Sequence, residues 1–173
     1  MNLIDTKYAH LCTISSDINE HLPTLKRYAS GCESVTEFGV RAIVSTWALL
    51  AGHPAKMISV DIVDPSDNGA SIHEVYDACS EAGIDYQFIK ADTLGLIIPT
   101  TDLLFLDTLH TYEHVKKELH LHGDAAKKFI IIHDTEHNRD MVRAIDAFVG
   151  GNPWEVAEVF TNNNGLTVLR RNA

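Results

Sequence analysis

The chain of 173 residues carries 24 Asp and Glu against 14 Lys and Arg, a net charge of −10, with 45 % hydrophobic and 22 % charged residues. This is ordinary globular composition for a single domain, neither disordered nor fibrous, and long enough to bury a real core. The acidic balance and the lack of a basic run exclude a nucleic-acid partner, because phosphate-backbone binding needs clustered cations that release counterions.

Three widely spaced cysteines, Cys12, Cys32 and Cys79, include no CxxC pair. They give neither a disulfide framework nor a thiolate zinc site, and fit a reducing compartment. The N-terminal segment lacks the apolar core of a signal peptide, and no apolar run reaches membrane-spanning length. A cytoplasmic protein without a membrane partner is expected.

Ile18, Leu22 and Leu25 stand at helical spacing, which predicts a helix over Asp17–Tyr28 with Asp17 as a cap and Pro23 interrupting it. A strand at Val35–Phe38 and a helix at Ser45–Ala51, ended by Gly52 and Pro54, follow. Next come a strand at Lys56–Asp61 and a helix at Ser71–Ala82, capped by Ser71 and stopped by Gly83. Tyr86–Ile89, Leu103–Leu106 and Phe129–Ile132 read as further strands, with helices at Tyr112–His122 and Arg139–Phe148. Continuous apolar strands separated by helices imply a parallel sheet covered on both faces. Trp154–Phe160, the turn Asn162–Gly165 and Leu166–Leu169 read as an antiparallel C-terminal hairpin. The whole is one α/β domain over residues 1–173, with residues 1–33 as a helical lid before the core; Pro65–Ala70 is a second lid candidate.

Ligands in such sheets bind beyond the carboxyl ends of the strands. Those ends carry Glu37 to Gly39, Asp61, Asp92, Asp107 to His110, and His133 to Thr135. Gly39 would let the backbone pass close to a ligand, but one glycine in place of the G-x-G-x-x-G fingerprint disfavours a pyrophosphate and hence a nicotinamide oxidoreductase. Asp61, about 20 residues further on, stands where a carboxylate binds a ribose diol. A nucleoside without a diphosphate is implied.

VTEFGVRAIVSTWALLAG (35–52), ISVDI (58–62), DLLFLDTLHTYEHVKKEL (102–119) and FIIIHDTEHNRDMVRAIDAFV (129–149) together resemble the class I S-adenosylmethionine-dependent methyltransferases. Among these they look like the metal-dependent O-methyltransferases of the catechol and macrolide-sugar type. The resemblance implies a Rossmann-like, doubly wound, mostly parallel seven-stranded sheet. It implies that Glu37 and Gly39 line the methionine part of the cofactor, that Asp61 holds the ribose and that Asp92 lies beside the adenine. Ser45 and Thr46, at the start of the first helix after the glycine region, would meet the cofactor carboxylate. Ile43 departs from the family, which commonly has glycine there; its side chain would either crowd the cofactor or alter helix packing.

Asp107 and Asp134 end strands expected to be neighbours, and two converging carboxylates need a cation or proton between them. Oxygen ligands of this kind favour a hard divalent ion such as Mg2+. By the resemblance they are metal ligands, with His133 the candidate third, and His110 is the general base that accepts a proton from the acceptor hydroxyl. A zinc site from His110, His114, His120 and His122 is conceivable, but there is no H-E-x-x-H, and Lys116, Lys117 and Glu118 read as a solvated helix face. Trp47, Leu49 and Leu50 read as core. The expected activity is O-methyl transfer to a small-molecule hydroxyl on a sugar or catechol-like diol, with room for a homo-oligomer that completes the pocket. The competing expectation is a fold relative that binds without turnover.

Overall fold

The computed structural model describes residues 2–136 and 138–172. Seven strands, β1 (Ser34–Phe38), β2 (Lys56–Asp61), β3 (Asp85–Lys90), β4 (Thr101–Leu106), β5 (Ala126–His133), β6 (Trp154–Phe160) and β7 (Leu166–Arg171), form one sheet in the order β3-β2-β1-β4-β5-β7-β6. β1 to β5 pair in parallel, and β7 runs antiparallel to both β5 and β6. The doubly wound sheet and its antiparallel hairpin therefore agree with the sequence reading.

Both faces are covered. Helices α1 (Leu3–Leu11), α2 (Leu22–Ala29), α3 (Val44–Leu50) and α4 (Ile72–Ala82) pack on one face, against Leu103, Phe105 and Ile131. Helices α5 (Tyr112–His122) and α6 (Arg139–Val149) pack on the other, against Leu104, Leu106, Ile130 and Ile132. Side chains alternate across a strand, so β4 and β5 are apolar at consecutive positions because each face has its own core. Trp47, Leu49 and Leu50 are buried as expected. Among the described residues, no helix is long and apolar enough to cross a membrane.

The N-terminal region differs from the sequence reading. Helix was expected within residues 1–33 but not placed at α1; the Asn2 side chain caps α1 by accepting from the Asp5 N–H, and Ile4 is buried. The helix expected from Asp17 is a 3-10 turn at Asn19–His21 followed by α2, in whose first turn Pro23 sits. Proline at that place lacks only an N–H that would have no partner within the helix, so it starts the helix rather than interrupting it. Asp17 caps nothing; it lies on the strap between α1 and the turn. Ser71 and Gly83 (φ +72°) bound α4 as expected.

Candidate active site

The carboxyl ends of β1, β2 and β4 open onto a cavity of about 640 Å3. Gly39 forms its floor. It sits at φ +86°, its N–H donates to the Val60 carbonyl, and an added Cβ would overlap the Asp107 carbonyl. Only glycine permits so close a crossing of the β1 and β4 ends.

The loop beyond Gly39 alternates in hand. Arg41 (φ +45°) and Ile43 (φ +64°) follow it in the left-handed region, each position costing a non-glycine side chain about 1–2 kcal/mol. The chain thus keeps a backbone suited to three alternating glycines while carrying one. Ile43 is buried in the core under α3 and does not line the cavity, whereas Ala42 and Val44 do. Helix packing, not crowding of the ligand space, absorbs that departure.

Asp61 ends β2 against this loop. Its Oδ2 accepts the Val40 and Arg41 N–H groups (2.7 and 3.0 Å), and Oδ1 accepts that of Val63 (2.9 Å). Asp92 lines the cavity beyond the edge strand β3, where its Oδ1 accepts the Leu94 N–H (2.9 Å). Both line the cavity, yet both also hold backbone, a task the sequence reading did not give them.

Glu37 lies below the floor rather than in the cavity. It is fully buried and accepts hydroxyl hydrogen bonds from Ser45 (2.6 Å), Thr46 (2.8 Å) and Ser59 (2.7 Å). Burial pushes its pKa up to about 7 against the pull of those three donors. The expectation that Glu37 lines the cofactor space is corrected: it ties β1, β2 and α3 together from within. Thr46 is likewise fully buried, and the hydroxyls of both Ser45 and Thr46 are turned to Glu37.

A second cluster forms where β4 and β5 end side by side. His110 Nε2 lies 3.3 Å from Asp107 Oδ1 and 3.0 Å from Asp134 Oδ2; His133 Nδ1 lies 3.3 and 3.4 Å from the same two oxygens. Asp134 adopts φ +58°, a strained turn that aims its carboxylate back at Asp107. His133 Nε2 faces the Asn163 carbonyl at 3.2 Å. Both ring nitrogens of His133 therefore face acceptors, which favours the imidazolium.

The electrostatics follow. Burial opposes ionisation of Asp107 and Asp134, but the hydrogen bonds from His110 and His133 outweigh it and hold both below the usual carboxylate range. Hydrogen bonds to Asp107 and Asp134 push His110 up to about 9. For His133, the same two carboxylates overcome burial and raise it to about 10. Ligand atoms of Asp107, His110 and Asp134 lie within 4.8 Å of one another, and His133 is not in that group. His133 Nδ1 stands nearly as close to the same two carboxylate oxygens, so His110 joins His133 as a candidate third ligand beside Asp107 and Asp134.

His110 and Asp134 also border a second, shallower space of about 830 Å3, whose other walls are Glu136, Asn138, Arg139, Asp140, Thr161 and Asn164. These two residues form a partition with a cavity on each side. On the opposite flank of the first cavity, Glu118 is fully buried, not solvated. It accepts from Thr93 (2.6 Å) and Thr108 (2.8 Å) and pairs with His114 Nε2 (3.1 Å). His122 Nε2 faces the Thr93 carbonyl at 2.8 Å. His114, through Glu118, and His122 thus tie α5 to the segments that follow β3 and β4, and no zinc cluster forms from the α5 histidines among the described residues.

No known family model and no curated protein matches the chain. Solved structures do. A proposed caffeoyl-CoA O-methyltransferase from Staphylococcus aureus superposes with TM-score 0.68 at 11 % identity, over 99 % of this chain and 93 % of that one. A proposed RNA methyltransferase from Pyrococcus horikoshii gives 0.67 at 10 %, over 98 % of each chain. A proposed methyltransferase complexed with S-adenosylhomocysteine gives 0.65 at 12 %, over 91 % of this chain and 50 % of that one. These neighbours differ in the acceptor their names imply and share the architecture: the chain has the fold of the S-adenosylmethionine-dependent methyltransferases.

Proposed function

We propose that the chain is an S-adenosylmethionine-dependent O-methyltransferase acting on a hydroxylated small molecule with the aid of a divalent cation. One observation carries this reading. The partition between the acidic first cavity and the polar second one is built by His110 and Asp134, with Asp107 beside them on the first side, so a methyl donor on one side and a hydroxyl acceptor on the other would face each other across it.

The first cavity suits a positively charged nucleoside thioether. Asp17, Asp61, Asp92, Asp107 and Asp134 line it together with Val40, Val60 and Ile62, and Gly39 leaves room at the floor. When bound, the cofactor supplies a methyl group on a cationic sulfur, which five carboxylates attract. Asp61 Oδ1 accepts one backbone N–H and keeps capacity for a ribose hydroxyl, and Asp92 stands at the adenine end.

Two carboxylates and an imidazole fit a divalent ion, and the imidazole moves the preference from Mg2+ toward Mn2+ or its neighbours. When bound there, such an ion supplies charge that acidifies a nearby hydroxyl. Asp107, Asp134 and His110 would be its ligands. His133, held by the Asn163 carbonyl, would orient the carboxylates from behind. His110 Nε2 lies between two carboxylates that favour its protonated form; that proton would leave when a cation binds there, so ligation and the base role that the family resemblance implied compete for the same nitrogen.

Calorimetric titration with S-adenosylhomocysteine tests the cofactor, and methyl transfer to a panel of sugars and diols, with EDTA or added Mn2+, tests the rest. Binding followed by chelator-sensitive transfer is the expected result. Absence of binding overturns the reading, and transfer indifferent to EDTA overturns the role of the cation.

A further inference from the structure

The first cavity is lined by five aspartates, and Arg41 is the one Lys or Arg among its described lining residues. Arg41 Nη1 donates to Asp17 Oδ2 at 2.7 Å, joining the glycine-position loop to the strap across the cavity. The backbone is held at Arg41 and, next to Asp17, at Ser16, while the two side chains bond each other. The Arg41 N–H is pinned by Asp61. The Ser16 N–H donates to Asn19 (3.0 Å), and the Ser16 carbonyl accepts from Asn163 (2.8 Å). Their side chains are 72 % and 41 % exposed, so the pair contributes little stability and is easily separated. Arg41 also stands in left-handed backbone, where a bulky side chain is strained and persists when something else requires it.

The hydroxyls of Ser45 and Thr46 are held by buried Glu37, so the start of α3 offers a cofactor carboxylate only backbone amides and no full positive charge. A carboxylate entering a cavity of five aspartates needs a cation, and a guanidinium matches it in two parallel hydrogen bonds. We infer that Asp17 and Arg41 form a split-pair clamp for the α-amino-acid end of the cofactor, Arg41 taking the carboxylate and Asp17 the ammonium. A zwitterion inserted between the two partners gives each a new counter-charge, so neither is left unpaired. The inference rests on the cofactor reading above and adds a recognition element for its amino-acid part.

The test compares two thioethers by calorimetry: S-adenosylhomocysteine and 5′-methylthioadenosine, which has the nucleoside and sulfur but no amino-acid group. The wild-type chain is expected to prefer the first by about tenfold or more, the range of a charge-assisted contact. Arg41→Gln and Asp17→Asn should each erase most of that preference and leave the affinity for 5′-methylthioadenosine and the Tm unchanged. A wild-type preference that survives both substitutions, or an equal loss for both thioethers, overturns the clamp. So does a wild-type chain that binds 5′-methylthioadenosine as tightly as S-adenosylhomocysteine. A wild-type chain that binds neither removes the cofactor reading itself, which distinguishes the two failures.

Discussion

Replacing Glu37 by glutamine isolates a fully buried acid whose pKa burial dominates. Its pKa rises from an ordinary 4.5 to about 7 because burial disfavours the charge more than Ser45, Thr46 and Ser59 stabilise it. The folded state therefore binds this proton more tightly than the unfolded state. Between about pH 4.5 and 7 the native chain holds more protons, so stability falls as pH rises through that window and levels off above it. A rise of this size corresponds to about 3 kcal/mol at alkaline pH. Glutamine keeps an oxygen for Ser45, and its amide can donate to Thr46 or Ser59, whose hydroxyls turn to accept. Urea unfolding of wild type and Glu37→Gln at a series of pH values from 5 to 8 measures the difference in stability. Titrations elsewhere cancel in that difference. The variant should gain about 3 kcal/mol on wild type across the range. Parallel curves would refute the claim that the buried carboxyl drives the pH dependence.

Gly39→Ala places a Cβ on the Asp107 carbonyl at a positive φ and should cost more than about 1 kcal/mol in chemical denaturation, with loss of S-adenosylhomocysteine binding. His53, exposed and at φ +55° just beyond α3, should yield about 0.5–1 kcal/mol of added stability on replacement by glycine, read as a higher Tm. His133→Gln should weaken Mn2+ binding by roughly 10- to 100-fold in a direct titration, as removal of a ligand-orienting partner does, while S-adenosylhomocysteine affinity stays as it was.

What was legible in the sequence was set by periodicity and by strand ends. The apolar runs of β4 and β5 and the caps of α4 are local signals, and the sheet and most helices followed from them. Asp107, His110 and Asp134 were legible because they close adjacent strands. α1 was missed although Ile4, Tyr8 and Leu11 share a helical face, since Asp5, Thr6 and Lys7 dilute the pattern. Glu37 and Glu118 were misplaced for one physical reason. A charge in the sequence reads as solvated or ligand-facing, and only the fold shows the serine and threonine hydroxyls, from distant segments, that make burial tolerable. The pairing of Asp17 with Arg41 has no sequence signature, because it depends on the strap crossing over the loop.

The net charge of −10 bears on function once the compensation of each acid in the crevice is compared. Asp61 is answered by three backbone N–H groups and Asp92 by one, so these carboxylates are part of the frame and move only if the loops move. Glu37 meets only hydroxyls, and burial favours its neutral form. Asp17 is answered by an exposed guanidinium, and Asp107 and Asp134 by two imidazoles that also find each other's partners. Partners of that last kind can be exchanged for a ligand's charge without breaking backbone structure. The crevice therefore divides into acids that hold its shape and acids whose counter-charge is replaceable. The replaceable ones lie at two places: the strap, where an amino-acid zwitterion would enter, and the partition, where a divalent cation would sit between donor and acceptor.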